Sequence, residues 1–319
     1  MFQRQFFDWM VLDEEKDCGC DNLHELSLAD YANYTADISD DYADCCVVGG
    51  VRPTVIQKLI ELLEQKGVRI LTNHRVNEID WSGESNKITC DNGATFQSNV
   101  ALVTVSLGCL KANHRALFSP PLSKSKVDAI ACLRMGSVEK VFVTFEEDLP
   151  QEVIDGFCLL WEEGVVERVR RKPKDHWYKS FNMFHEVNSR TLLTFITGPA
   201  ARHMNKLSQD IVKDTIQKEI MDDVITRYLR GVKMPLVATV TRSEWCDNQD
   251  VLGGYSYAPK ECESPAGCRG ELGKPLIDRE GRVKVLFAGE ALSPTNYGTM
   301  NAAMETAGKA VTLISNNSK

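Results

Sequence analysis

The chain lacks long apolar runs and paired metal-ligand motifs. None of its 319 residues falls in a stretch approaching the roughly 20 apolar residues that span a bilayer, and the opening MFQRQFFDWM has no apolar secretory core. The 6 histidines show no HxxxH spacing. Three closely spaced cysteine pairs lack the CxxC spacing of zinc sites: Cys18 and Cys20, Cys45 and Cys46, and Cys262 and Cys268. We therefore expect a soluble cytoplasmic protein with reduced thiols, no membrane span and no metal.

Positive charge is the scarcer sign. The sequence has 37 Lys and Arg against 45 Asp and Glu, a formal net charge of -8. This balance argues against nucleic acid as a partner and is compatible with a cationic substrate. An acidic tract at residues 37–44 can be interpreted either as a solvated loop or as a guide for such a substrate.

Hydrophobic periodicity predicts mixed helices and strands. An apolar face recurs at helical spacing over residues 53–66, with Gly67 placed to end that helix, and again over 208–229, with Gly231 after its end. The aromatic-rich opening also has helical character. Short strands are predicted at 68–72, 75–81, 87–90, 95–106, 141–145 and 191–198. The basic segment 167–174 is interpreted as a solvated hairpin.

The C-terminal stretch is the most informative. Residues 285–289 (VLFAG) predict a buried strand, followed by a Ser-Pro-Thr-Asn turn and a helix for which Thr299 is a suitable N-cap. Gly289 and Gly298 permit close backbone approach. Because a helix N-terminus carries partial positive charge, this loop is a candidate site for an anionic or electron-rich ligand.

The string GEALSPTNYGTMNAAMETAGKA, residues 289–310, closely resembles the C-terminal signature of the flavin amine oxidases. The resemblance implies an FAD cofactor whose isoalloxazine end is closed by Gly289, Glu290 and the following helix. By position, Glu290 would bond the sugar side of FAD. The backbone of Thr299 and Met300 would face the flavin N1/O2 edge, where a helix dipole stabilises the reduced anion.

Further positions follow the family order along the chain. Val76, in RVNEI, matches a residue whose backbone bonds the FAD adenine. Lys140 follows Gly-Ser and begins an apolar strand, which matches the family lysine that holds a water on flavin N5, so it is the predicted catalytic side chain. Trp245 matches a tryptophan that approaches the flavin, and Tyr255 and Tyr257 would line the substrate cavity.

The family implies an α/β, mixed α+β, fold. A discontinuous FAD-binding domain would be joined to a substrate domain with a mixed sheet and helices. The predicted segments are 1–44 and 111–275 for the substrate domain, and 45–110 and 276–319 for the FAD domain. No GxGxxG follows a strand, so the unit that cradles the FAD pyrophosphate is missing from this sequence. We therefore expect a C-terminal portion of an oxidase, with exposed sheet edges.

The predicted reaction is oxidation of a polyamine by O2, through hydride transfer to flavin N5, giving an aldehyde, a shorter amine and hydrogen peroxide. Tyr255 stands where monoamine oxidases carry a flavin-bonding cysteine, which predicts non-covalent FAD. Thr299 replaces a tyrosine of their aromatic cage, which favours polyamines. A monoamine oxidase, a histone demethylase and an inactive fragment that acts only by binding remain alternatives. The C-terminus is not the Ser-Lys-Leu peroxisomal address.

Overall fold

A computed structural model describes residues 2–34, 52–229 and 232–317. The acidic tract at 37–44 and the expected stop at Gly231 lie outside these residues. No helix within the described ranges is both long enough and apolar enough to cross a membrane. The α-helices are α1 Phe2–Cys18, α2 Leu28–Asn33, α3 Gln57–Gln65, α4 Leu107–Leu117, α5 Lys124–Cys132, α6 Val165–Arg171, α7 Pro173–His176, α8 Gly198–Met204, α9 Gln209–Thr215, α10 Thr226–Tyr228, α11 Pro265–Gly273 and α12 Met300–Asn317.

The strands are short and lie between Val76 and Phe287. They are β1 Val76–Asp80, β2 Asn86–Cys90, β3 Thr95–Ser98, β4 Ala101–Val103, β5 Phe118–Ser119, β6 Arg134–Met135, β7 Val138–Phe145, β8 Phe157–Cys158, β9 Met183–Asn188, β10 Thr191–Thr197, β11 Val237–Arg242, β12 Ser256–Tyr257, β13 Leu276–Ile277 and β14 Val283–Phe287.

Parallel and antiparallel pairing both occur. The largest sheet has the order β11-β7-β10-β9-β8, and its paired strands are antiparallel. A second sheet runs β3-β2-β1-β5 and a third runs β13-β14-β4. In the third sheet β14 lies parallel to β4, with Val285 opposite Ala101. The alternation of helices with mixed sheets confirms the predicted mixed α/β class.

Two large hydrophobic cores organise the described residues. The larger core combines β7, β10 and β11 with the buried faces of α6, α8 and the helical run that starts at α9. The second core combines residues from 79–133 with residues from 258–292, so sequence-distant segments share it. The predicted segment boundary at residue 110 falls inside α4, a continuous helix that belongs to this second core.

The strongly periodic segments form as predicted. Helix 53–66 is present as a π-helical turn, Arg52–Ile56, that continues into α3, and Gly67 follows it with a φ of +76°. Helix 208–229 is present as α9, a π-helical segment Ile216–Ile225 and α10, and Ser208 caps its start.

Three local predictions are wrong. Residues 68–72 form no strand, and Val68, Ile70 and Leu71 are exposed, because an apolar run needs a partner strand to complete its hydrogen-bond ladder. Segment 95–106 divides into β3 and β4, which belong to different sheets. The basic segment 167–174 is helical, in α6 and α7, because Val165, Val166 and Val169 are buried on one helix face.

The apolar face of α3 is exposed in the described structure. Leu59, Leu62 and Leu63 are 44%, 51% and 41% exposed, and Ile56 in the preceding turn is 40% exposed. Leu102 on β4, an outer strand of the third sheet, is also exposed. Periodicity therefore identified the helix here without the burial that usually accompanies it.

Glu15 on α1 is a buried carboxyl that makes stability depend on pH. Its side chain pairs with Arg170 and accepts a hydrogen bond from the Leu23 N–H at 3.2 Å. Burial raises the pKa of Glu15 to about 7, although Arg170 opposes the shift. An unfolded chain loses this proton at an ordinary pKa near 4.5. Between these two values the folded protein holds the extra proton, so its stability falls as pH rises through 7.

We predict that Glu15→Gln removes this pH dependence. Between about pH 5 and pH 8, the unfolding free energy of the wild type should fall relative to that of Glu15→Gln by on the order of 2 kcal/mol. Urea unfolding at both pH values measures this difference, and the exposed Glu147→Gln serves as the control. A difference between wild type and Glu15→Gln that does not change with pH would contradict the assignment.

Candidate functional site

Strand β7 directs two neighbouring charges to opposite faces of its sheet. Glu139 shares the inward face with Val141, Val143 and Phe145, and its exposure is 0%. Lys140 lies on the other face and is half-buried. Strand alternation alone places these side chains, because successive residues of a strand point to opposite faces.

The Glu139 carboxylate fixes the loop that follows β11. Its Oε2 accepts hydrogen bonds from the Ser243 hydroxyl and, at 2.9 Å, from the Trp245 N–H. Its Oε1 accepts from the Cys246 N–H at 2.9 Å and from the Asn205 amide at 2.7 Å. A buried carboxylate that receives four donors compensates much of its desolvation cost. Glu139 therefore positions the loop that carries Trp245.

Lys140 is held between two aromatic rings. Its Nζ lies 5.5 Å from the centroid of Phe195, the residue opposite it on β10, and 5.7 Å from the ring of Trp245. Both distances are within the range of a cation–π interaction. The structure thus brings together two of the predicted site residues, Lys140 and Trp245.

A close backbone contact leads from Trp245 towards the tyrosines. The Gly253 N–H donates to the Trp245 carbonyl at 3.0 Å, and the Gly136 N–H donates to the Tyr255 carbonyl at 2.9 Å. A Cβ on Gly136 would lie 1.4 Å from the carbonyl oxygen of Gly19. Glycine is therefore required at position 136, where β6 ends and the chain turns into β7.

Tyr255 lies between two glycines. Its ring would be 2.4 Å from a Cβ built on Gly19, and its Cβ 3.4 Å from one built on Gly298, in the turn before α12. Burial raises the pKa of the Tyr255 hydroxyl to about 12, and the negative charge of Asp17 adds to the shift. Tyr255 remains protonated at neutral pH and is adjacent to both α1 and the turn before α12.

Tyr257 has a different environment from Tyr255. It is buried and packs with Cys20 and Leu26 in a small separate cluster. In a regular strand, two residues that are two positions apart point to the same face. Tyr255 precedes β12, so its side chain need not share the face of Tyr257. Tyr255 is the one of the two that lies against the turn before α12.

Glu290 connects this turn to β12. Its Oε2 accepts hydrogen bonds from the Ser256 hydroxyl at 2.8 Å and from the Gly298 N–H at 2.7 Å. The preceding Gly289 has a φ of +151°, and a Cβ there would meet no atom within 4 Å. The backbone at Gly289 therefore borders open space, while the Glu290 carboxylate closes the loop from inside.

Arg269 on α11 contacts residues on both sides of Glu290 and before α12. Its guanidinium donates to Asp30 Oδ2, the Ser256 hydroxyl and the Ala291 carbonyl, each at 3.0 Å. The guanidinium also stacks 3.9 Å from the ring centroid of Tyr297. Arg269 is fully buried, so these partners must compensate the cost of removing its charge from water.

Helix α12 begins at the predicted cap. The Thr299 hydroxyl accepts a hydrogen bond from the Ala302 N–H at 3.1 Å and donates to the Asn296 carbonyl at 2.7 Å. This geometry confirms the predicted N-cap. Met300 is 52% exposed, so the N-terminus of α12 lies at the molecular surface.

Arg75, the residue before Val76, connects this part of the chain to the segment after Trp245. The Arg75 guanidinium donates to the Gln249 carbonyl at 2.6 Å and lies 3.2 Å from Asp250. Gln249 lies four residues after Trp245, so the start of β1 is tied to the Trp245 loop. Val76 itself is 37% exposed and pairs with Cys90.

Sequence reasoning missed two organising residues, Glu139 and Arg269. A usable signal existed for Glu139, because it occupies an inward position of an otherwise apolar alternation, where an acid must find partners. The partners of Arg269 lie 239 residues away at Asp30 and 13 residues away at Ser256. No local pattern predicts such a long-range pair.

The arrangement belongs to a known class of protein. Residues 22–315 match the family described as flavin containing amine oxidoreductase. Because this match covers most of the chain, the protein belongs to that family, and the resemblance inferred from its sequence is confirmed. Membership implies FAD as the cofactor.

The sequence identity to individual relatives is below 30%. The chain is 27% identical over 298 residues to the peroxisomal N(1)-acetyl-spermine/spermidine oxidase of Homo sapiens, which covers 90% of this chain and 57% of that protein. It is 29% identical over 248 residues to the Bos taurus protein of the same name, covering 72% and 47%. It is 27% identical over 307 residues to lysine-specific histone demethylase 1 homolog 2 of Oryza sativa subsp. japonica, covering 95% and 36%. The chain spans about half the length of the two peroxisomal relatives.

A solved structure has the same fold. A putrescine oxidase redesigned in its cofactor binding aligns with a TM-score of 0.57 and 17% identity, covering 82% of this chain and 53% of that chain. At this identity the likeness establishes the fold. It agrees with the mixed α/β architecture described above.

The described residues fit the isoalloxazine end of a flavin in two respects. The backbone at Gly289 is open, with no atom within 4 Å of a built Cβ, so a ligand can approach it closely. The N-terminus of α12 begins at the half-exposed Met300, and a helix N-terminus favours negative charge.

We predict that the Glu139 carboxylate is essential to the Trp245 loop. Glu139→Ala would leave the Trp245 and Cys246 N–H groups unpaired in the interior and should lower the unfolding free energy by about 3–5 kcal/mol. Glu139→Gln keeps one acceptor and should cost less, about 1.5–3 kcal/mol. Urea unfolding followed by tryptophan fluorescence measures both changes.

The exposed Glu147, just beyond the end of the same strand, provides the matched control. Glu147→Ala should change the unfolding free energy by less than about 0.5 kcal/mol. Equal, small effects of Glu139→Ala and Glu147→Ala would show that the Trp245 loop does not depend on Glu139.

Proposed function

We propose that this chain supplies the flavin-facing and substrate-facing residues of a polyamine oxidase, which oxidises spermine, spermidine or an acetylated form. The observation that carries the proposal is the position of Lys140 between the rings of Phe195 and Trp245. That environment belongs to a member of the flavin containing amine oxidoreductases. Two relatives named as N(1)-acetyl-spermine/spermidine oxidases support the choice of polyamine.

When bound, FAD would supply the redox chemistry, which is two-electron oxidation at the carbon beside the amine with O2 as the final acceptor. Residues of this chain supply the surroundings. Lys140 would hold a water with its ammonium group, and the rings of Phe195 and Trp245 would restrict the position of that ammonium group. That water is suited to hydrolyse the product imine to an aldehyde and a shorter amine.

Residue identity supports non-covalent FAD. Tyr255 occupies the position after Gly253 and Gly254 at which a flavin-bonding cysteine would be needed. A tyrosine whose pKa is raised to about 12 by burial is a weak nucleophile at neutral pH. Its ring is better suited to form an apolar wall.

Negative charge on α1 supports a cationic substrate. Asp17 contributes to the raised pKa of Tyr255 and is 63% exposed at its side chain, where the Lys16 ammonium pairs with it at 3.2 Å. Glu14, on the same helix, raises the pKa of Tyr31 through its charge and a hydrogen bond. An amine passing Tyr255 would therefore meet the Asp17 carboxylate.

Oxidation of a methylated lysine in a peptide is the second candidate function. It is favoured by the similarity to relatives named lysine-specific histone demethylase 1, which match over as much as 95% of this chain. The chemistry at the carbon beside the amine would be the same.

Cytoplasmic location stays a prediction from the sequence, and two of the relatives are named as peroxisomal.

The proposal predicts that the purified chain binds FAD and that bound FAD is bleached by polyamine under anaerobic conditions. Spermine, N-acetylspermine and a dimethyl-lysine peptide should be compared at equal concentration. Bleaching by a polyamine but not by the peptide is expected, and the reverse preference would favour the second candidate. Failure of the chain to retain FAD would contradict the proposal for this chain and favour a role in binding alone.

Lys140→Met in the same assay tests the proposed catalytic side chain. FAD binding should be preserved, while flavin reoxidation by O2 or aldehyde release should slow by about tenfold or more. Lys87→Met is the matched control, because Lys87 is an exposed lysine on strand β2, away from this site. Equal rates for Lys140→Met and Lys87→Met would remove Lys140 from the reaction.

A further inference from the structure

Three cysteines from two distant parts of the chain meet beside α11. Cys132 is the last residue of α5, Cys262 lies in the turn before α11, and Cys268 lies within α11. Their Sγ atoms all lie within 4.8 Å of one another, and the Sγ atoms of Cys262 and Cys268 are 3.5 Å apart. Cys132 is 130 residues from Cys262, so sequence spacing alone gave no sign of this cluster.

The separation of the sulfur atoms suits a single bound cation. Three thiolates at a Zn–S distance of about 2.3 Å in tetrahedral geometry have their sulfur atoms about 3.8 Å apart. This value lies between the 3.5 Å pair and the 4.8 Å limit of the cluster. Adjustments of about 1 Å or less, within the reach of cysteine rotamers, would complete the site.

We propose that Cys132, Cys262 and Cys268 form a three-thiolate binding site for a thiophilic cation, Zn²⁺. Among the described residues no other histidine, cysteine, aspartate or glutamate joins this group. The fourth coordination position is therefore left to water. Cys132 and Cys268 are half-buried rather than fully enclosed, so the cation has a path from solvent.

The surrounding charge favours the metal-bound form. One Zn²⁺ and three thiols give a complex of charge -1 and release three protons. The positive charge of Lys111 acts on Cys132, and that of Arg269, which is paired with Asp30, lowers the pKa of Cys268. Burial raises the pKa of Cys262, which keeps that thiol protonated and weakly reactive until a metal displaces the proton.

This chemistry distinguishes the site from a redox pair and from ordinary packing. A disulfide would use only Cys262 and Cys268 and leave the third sulfur without a role. Reactive cysteines carry depressed pKa values, whereas burial raises the pKa of both Cys262 and Cys268. A bound cation would instead link α5 to α11, next to Arg269.

The test is zinc binding by the full chain after reduction and removal of metal. Zn²⁺ is titrated in competition with a chromophoric chelator, and Co²⁺ is used separately to detect thiolate-to-metal charge transfer. Wild type should bind one more equivalent than Cys132→Ser, or bind it at least about tenfold more tightly. Zinc should also raise the Tm of the wild type more than that of the variant.

Cys158→Ser is the matched control, because Cys158 is an exposed cysteine outside the cluster. It should bind zinc and cobalt as the wild type does. If Cys132→Ser does not fold, as judged by near-ultraviolet circular dichroism without metal, Cys132→Ala replaces it. Identical zinc affinity of wild type and the Cys132 variant would overturn the proposal. So would a cobalt spectrum without thiolate charge transfer.

Discussion

The buried ion pair of Arg269 with Asp30 is the contact on which most of the described site depends. Both side chains are almost completely removed from solvent, with exposures of 0% and 1%. Two such charges are stable inside a protein only when all their hydrogen-bonding groups are engaged. Asp30 meets this condition by also accepting from the Ala258 N–H at 3.0 Å. Arg269 meets it through Ser256 and the Ala291 carbonyl.

The consequence is a continuous polar network from α2 to the turn before α12. Ser256 accepts from Arg269 and donates to Glu290, and Glu290 accepts in turn from the Gly298 N–H. On the other side of the site, Glu139 holds the loop of Trp245 in the same manner. Glu139 therefore fixes the Trp245 loop, and Arg269 helps to fix the turn before α12. Tyr255 lies between these two segments in the sequence. Glu139 and Arg269 support the segments that carry Trp245 and Gly298, which lie next to Lys140 and Tyr255 respectively.

Local periodicity was sufficient for much of the fold. The long helices at 53–66 and 208–229 and the strand before Gly289 were predictable because apolar spacing and capping residues act within a few residues. The exposed run at 68–72 was not, since strand formation depends on a partner elsewhere in the chain. The arginines of α6 led to the wrong prediction of a solvated hairpin, because only the valines of this helix are buried.

Family motifs predict candidate site residues, whereas the long-range contacts that support those residues leave no local pattern in the sequence. Motif order predicts roles for Lys140, Trp245 and Thr299, and the structure adds the contacts that hold these side chains. Asp30 lies more than 100 residues from its ion-pair partner Arg269, and Cys132 lies more than 100 residues from the other two cysteines of the thiol cluster. Only the folded chain brings such residues together, so no local pattern contains them.

Hydrogen exchange of Arg269→Met tests most directly whether the buried pair holds the turn before α12. We expect the amides of residues 289–299 to exchange at least about tenfold faster than in the wild type. Residues of β10, in the other core, should change far less. A uniform acceleration across both regions, or unchanged exchange at 289–299, would contradict the view that Arg269 positions this turn.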